Sequence, residues 1–106
     1  MKPAVLRPQA EIDLLDVTQW YVERGGTALA AQFFDSARAA INELERMPGM
    51  GSPRFGQLAG IDGLRSWPIA RFPVRWCYFE QPDYIDMVRV LGERQDIVAI
   101  LGAGLD

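Results

Sequence analysis

The chain has 106 residues, a formal net charge of −3 and 49% hydrophobic residues, enough apolar content for one compact domain over residues 1–106 and too little positive charge for indiscriminate attraction to nucleic acid. Histidine is absent and Cys77 is the single cysteine, which excludes a disulfide scaffold, a Cys/His zinc site and any Ser-His or Cys-His mechanism, so neither a metal nor a cofactor is expected. No apolar run approaches the ~20 residues of a membrane span, and Lys2 and Arg7 bring charge too early for a signal peptide, so the expected location is the cytoplasm, with no membrane partner.

Ala4 to Arg7 reads as a short strand, and Pro8 suits the first position of the helix that follows. Ala10, Leu14, Val17 and Tyr21 recur at four, three and four residues and share one helical face, with Asp13, Asp16 and Glu23 away from it. Trp20 falls on the flank of that stripe. Arg24-Gly25-Gly26 ends the helix, and Thr27 can cap a second one, in which Ala30, Phe34, Ala37, Ile41 and Leu44 form the core stripe while Phe33, Ala40 and Met47 widen it. So short a connection makes the two helices an antiparallel hairpin.

Pro48-Gly49-Met50-Gly51-Ser52-Pro53-Arg54 stops this helical half, because neither proline fits a helix interior and the glycines tolerate a left-handed terminus. Beyond it, Leu64 to Trp67, Arg71 to Glu80 and Tyr84 to Leu91 read as strands, the last two joined at Gln81-Pro82-Asp83. One face of the second strand, Phe72, Val74, Trp76 and Tyr78, is expected to pack on the helices. The third strand is apolar on both sides and so suits a central place. Cys77, among Trp76, Tyr78 and Phe79, reads as a small buried hydrophobe. Gly92 to Ile97 leads into a short helix or tail. The fold class is therefore α+β: an N-terminal strand, an antiparallel helix hairpin, a three-stranded antiparallel meander and a short C-terminal helix or tail.

Lys2 is the only lysine, so nearly all positive charge is guanidinium, suited to bidentate contact with carboxylate or phosphate. Arg54, Arg65, Arg71 and Arg75 face the single acid Asp62 in their stretch, and form either a solvated mixed-charge surface or a partner contact.

The junction Pro48 to Arg54, the strand start Gly63-Leu64-Arg65-Ser66-Trp67-Pro68 and the run Val88-Arg89-Val90-Leu91-Gly92-Glu93-Arg94-Gln95-Asp96, in this order and spacing, resemble the RelE/ParE superfamily of bacterial toxins, in its ParE branch. That resemblance implies a type II toxin–antitoxin component neutralised by a cognate antitoxin, ParD-like or of another DNA-binding type, in a hetero-oligomer. The implied antitoxin contacts are Trp20, Arg65, Arg71, Arg75 and Arg89, on the helix hairpin and the exposed sheet. ParE-like members poison DNA gyrase, with Arg89, Arg94 and Ile97 as the implied target contacts. RelE-like members instead cut mRNA on the ribosome. Arg65, Arg75 and Arg94 match basic positions of that branch, but Trp67 stands where a lysine is expected and no tyrosine or histidine follows Arg94. A non-toxic binding module on the same fold is the third reading.

Overall fold

The computed structural model describes residues 1–105. Strand β1, Ala4–Leu6, runs directly into helix α1, Pro8–Arg46, with Pro8 in its first turn. A straight helix of 39 residues would reach about 58 Å, yet the longest dimension of the molecule is 38 Å. The fold-back occurs at Gly26, whose backbone (φ 81°, ψ −178°) is the only non-helical point inside α1. That conformation is open essentially to glycine alone.

The expected hairpin is therefore present, with arms over residues 8–25 and 27–46. Its antiparallel closure is marked at the open end, where the amides of Lys2 and Ala4 donate to the carbonyl oxygen (3.3 Å) and carboxylate (2.9 Å) of Glu45. Near the fold, the Tyr21 and Phe33 rings pack at a 33° tilt with centroids 5.1 Å apart, and Phe72 meets both edge-on.

The second arm is rotated from the expected stripe. Phe33 is fully buried and Phe34 is 39% exposed, because the core line runs Ala30, Phe33, Ala37, Ala40 and Leu44. Adjacent phenylalanines 100° apart on a helix cannot be ranked by spacing alone. Asp13 also departs from expectation: it is buried, for a reason that lies on β4.

After a 3₁₀ turn at Pro48–Met50 come α2, Arg54–Ala59; β2, Leu64–Pro68; β3, Val74–Glu80; β4, Ile85–Gly92; and α3, Ile97–Gly102. The sheet order is β1-β4-β3-β2, with β2-β3-β4 an antiparallel meander and β1 parallel to β4, so β4 is central as expected. β3 starts three residues later than the sequence suggested. Arg71 adopts φ 71° in a turn closed by Phe72 N–H to Ile69 O (3.2 Å), and Pro73 has no N–H for the ladder.

Helix α2 was not anticipated, since Arg54–Ala59 is six residues with a glycine inside. Together α2 and α3 cover the face of the sheet expected to be open. Val74, Trp76, Tyr78, Ile85, Met87 and Val90 pack under the hairpin. Leu64, Cys77, Val88 and Leu91 pack with Ile97 and Leu101 of α3 on the other side.

The junction is clamped from below. The Tyr78 hydroxyl donates to Pro48 O (2.6 Å) and accepts from Gly51 N–H (2.9 Å), Arg65 Nη1 donates to Gly51 O (2.7 Å), and Ser52 pairs with Ser66 through both backbone bonds. A Cβ on residue 51 would sit 2.3 Å from the Tyr78 hydroxyl, so glycine is required there by close approach.

Candidate functional site

Trp20 ends up on the outer flank of α1, 44% exposed despite its size. Two neighbours hold it in place: Tyr21 edge-on at 5.0 Å and the Arg24 guanidinium 4.5 Å from its ring centroid. The i, i+4 spacing of Trp20 and Arg24 on a helix was a legible signal for this cation–π pair.

Between this flank, the start of β3 and the end of β4 lies a groove of about 570 Å³, lined by Asp16, Val17, Trp20, Tyr21, Pro73, Val74, Gly92, Arg94 and Gln95. Its walls are mostly apolar, and Arg94 stands exposed at its border. Burial pushes the Tyr21 phenol up, and the nearby Arg94 guanidinium opposes that shift by a smaller amount. Gln95 is fixed by accepting the Gly92 amide at 2.7 Å. Trp20, implied for the antitoxin, and Arg94, implied for the target, thus line one groove.

The other arginines separate. Arg65 lies opposite Tyr78, and Arg75 lies three residues before Tyr78 on the same continuous strand. Strand alternation therefore sends Arg65 and Arg75 to opposite faces of the sheet. Arg65 reaches the junction carbonyl of Gly51 on the hairpin side. On the other side, Arg75 donates to Ser66 Oγ (3.1 Å), pairs with Glu93 (3.6 Å) and lies 5.8 Å from the Phe55 ring centroid. Their side chains do not form one contact surface. Arg71 is exposed on the β2–β3 turn, two residues before the groove-lining Pro73.

Arg89 has a structural assignment. β1 pairs with β4 only as far as Met87, leaving the outer edge of β4 open beyond it. Asp13 of α1 fills that edge: its carboxylate accepts from Arg89 Nε (2.7 Å), Arg89 Nη2 (3.0 Å) and the Val90 amide (3.0 Å). The register slip in β4 between its pairings with Cys77 and Tyr78 lies at this point. Asp13 and Arg89 are 76 positions apart, and no local pattern links them. Arg7 and Asp86 make a similar bidentate pair at the start of α1 (3.0 and 2.8 Å).

Ile97 is 4% exposed within the core under α3. Its side chain is a strut for the C-terminal helix, whose first turn is capped by Asp96 accepting from Ala99 N–H at 3.1 Å. Cys77 is fully buried, and burial lifts its thiol to about 12, so it stays protonated and unreactive. Among the described residues no group of three or more His, Cys, Asp or Glu side chains could hold a metal ion, and no helix is long and apolar enough to cross a membrane.

Residues 4–102 match the family described as ParE toxin of type II toxin–antitoxin system, parDE. Among solved structures, the fold is similar to a chain of the chromosomal ParDE TA system from P. aeruginosa, with a TM-score of 0.74 and 19% identity over 87% of this chain and 96% of that one. No curated protein matches the chain.

Proposed function

The chain belongs to the ParE toxin family of type II toxin–antitoxin systems, and from that premise we propose that it inhibits DNA gyrase by direct binding and is held inactive in the cytoplasm by a cognate antitoxin. The observation that carries this reading over mRNA cleavage is the separation of Arg65 and Arg75. Cutting RNA needs cations gathered around one phosphodiester to steady the charge that develops there. Here the two arginines leave opposite faces of the sheet, one on the Gly51 carbonyl and the other on Ser66 and Glu93.

A binding toxin needs only a shaped and stable surface. The groove bordered by Trp20 and Arg94 is such a surface, and the roles divide accordingly. Trp20, Arg71 and Arg94 are contact residues. Arg65, Arg75, Arg89 and Ile97 hold the scaffold that presents them.

With purified gyrase and relaxed plasmid, the expected result is loss of supercoiling with accumulation of trapped cleavage complexes. Unchanged supercoiling and no trapped complex at excess toxin overturn the proposal. Induction in cells without antitoxin separates the alternatives: SOS induction and filamentation follow from gyrase poisoning, rapid translation arrest from a ribonuclease, and normal growth from a non-toxic module.

A further inference from the structure

We propose that the flank of α1 carrying Asp16, Trp20 and Arg24 is a self-association surface, on which a second copy of this chain seats its own Trp20 in a weak two-fold dimer.

Charge on this flank is mirrored about the indole. Asp16 stands four residues before Trp20 and Arg24 four residues after it, so the acid and the base lie about 6 Å along the helix on either side of the ring. All three side chains are exposed, and among the described residues neither Asp16 nor Arg24 takes part in an ion pair. The Arg24 guanidinium lies 4.5 Å from the Trp20 ring centroid, a contact compatible with a carboxylate on its N–H groups. When two first arms pack antiparallel about a two-fold axis at Trp20, a residue four positions before it on one copy meets the residue four positions after it on the other. Asp16 then meets the partner's Arg24, and Arg24 the partner's Asp16.

The neighbouring groove gives each indole a place to lie. Its volume of about 570 Å³ is within the ~300–1,000 Å³ of typical ligand sites, and Val17, Tyr21, Pro73 and Val74 give it apolar walls. The charged residues in its lining are one acid, Asp16, and one base, Arg94, so it favours neither an acidic nor a basic partner. A two-fold contact asks for such a balance, because one patch must complement itself. Trp20 is 44% exposed, with Tyr21 edge-on at 5.0 Å and Arg24 beside it, so little side-chain freedom is lost when a second copy covers it.

The dimer is expected to be weak. Two indoles supply at most ~150–250 Å² each, a minor part of the ~1,600 Å² that a standard interface buries. Dilution should therefore dissociate it.

The test is sedimentation velocity on the purified full-length chain from about 1 to 200 μM, a range that brackets a micromolar dissociation constant. The wild type should pass from monomer to dimer, Trp20→Ala should remain monomeric, and Leu58→Ala, on the exposed side of α2, should match the wild type. Asp16→Arg sets two bases against each other and Arg24→Asp two acids, so each variant alone should self-associate at least about tenfold more weakly. An equimolar mixture of these two should recover the dimer, because each then offers the charges that the other lacks. Circular dichroism melts establish that every variant folds.

A wild-type chain that is monomeric at every concentration overturns the proposal, and loss of antitoxin binding by Trp20→Ala would then assign the flank to the antitoxin. A dimer that persists in Trp20→Ala also overturns it, by placing the contact elsewhere. So does a mixture of the two charge variants that associates no more than either alone.

Discussion

Tyr78 shows at the scale of one residue how the junction is kept in shape. The sequence places it on a core-facing strand position, which its zero exposure bears out, but alternation says nothing of where its hydroxyl goes. That group serves Pro48 O and Gly51 N–H at once, and these backbone atoms have no strand to pair with. Tyr78→Phe keeps the ring and removes both bonds, leaving a buried amide without its partner, at about 1–3 kcal/mol. Urea unfolding at neutral pH measures it. The pH dependence has a definite sign. Burial raises the folded phenol above its ordinary value of 10.0, with the Gly51 amide and Arg65 opposing the shift less strongly. The folded state therefore keeps a proton that the unfolded chain releases, and this contribution is fully present below pH 10 and lost as pH rises through the folded value. Between pH 10 and 11 the stability of Tyr78→Phe should fall less steeply than that of the wild type; equal slopes would mean that the phenol is not held protonated.

At the scale of elements, the fold-back in α1 rests on a single backbone geometry. Gly26 has φ 81° with nothing within 4 Å of the position a Cβ would take, so any cost of Gly26→Ala is conformational rather than steric crowding. About 1–3 kcal/mol is expected for a non-glycine residue held in this region, read as a lower urea midpoint with an unchanged m-value. A reduced m-value would show instead that the hairpin no longer closes. The sequence announced this element well, because Arg24-Gly25-Gly26 is a local signal and the apolar periods on either side of it are local too. The same reasoning missed what tertiary structure decides. Asp13 belongs to the polar face of α1 by period, yet the unpaired edge of β4 draws it inward to Arg89 and the Val90 amide. Arg65 and Arg75 look like one basic patch until the register assigns them to different faces. The groove was legible only in fragments: Trp20 was singled out for one partner and Arg94 for another, and the return of the chain at Pro73 is what joins them.

At the scale of the whole molecule, the sheet separates two apolar layers of unequal support. The hairpin layer is closed by two long arms, whereas the layer containing Cys77 is closed by α2 and α3, each six residues long. Helices this short have little stability of their own and depend on packing, so α3 should open before the rest of the fold. Leu101 is 1% exposed and packs with Leu64, Cys77, Val88 and Leu91. Leu101→Ala should cost about 2–5 kcal/mol, and Cys77, inert while covered, reports where that cost is felt. If α3 opens on its own, a thiol reagent should label Cys77 in the variant much faster than global unfolding measured by urea permits, while amides of the hairpin keep their hydrogen-exchange protection. Labelling at the global rate would mean that both layers open together, and that Ile97 and Leu101 hold a single cooperative unit. The consequence reaches the groove, because Arg94 and Gln95 lie in the segment joining β4 to α3. An α3 that detaches independently would loosen the part of the groove that Arg94 and Gln95 line, whereas an α3 bound into one unit holds it in place.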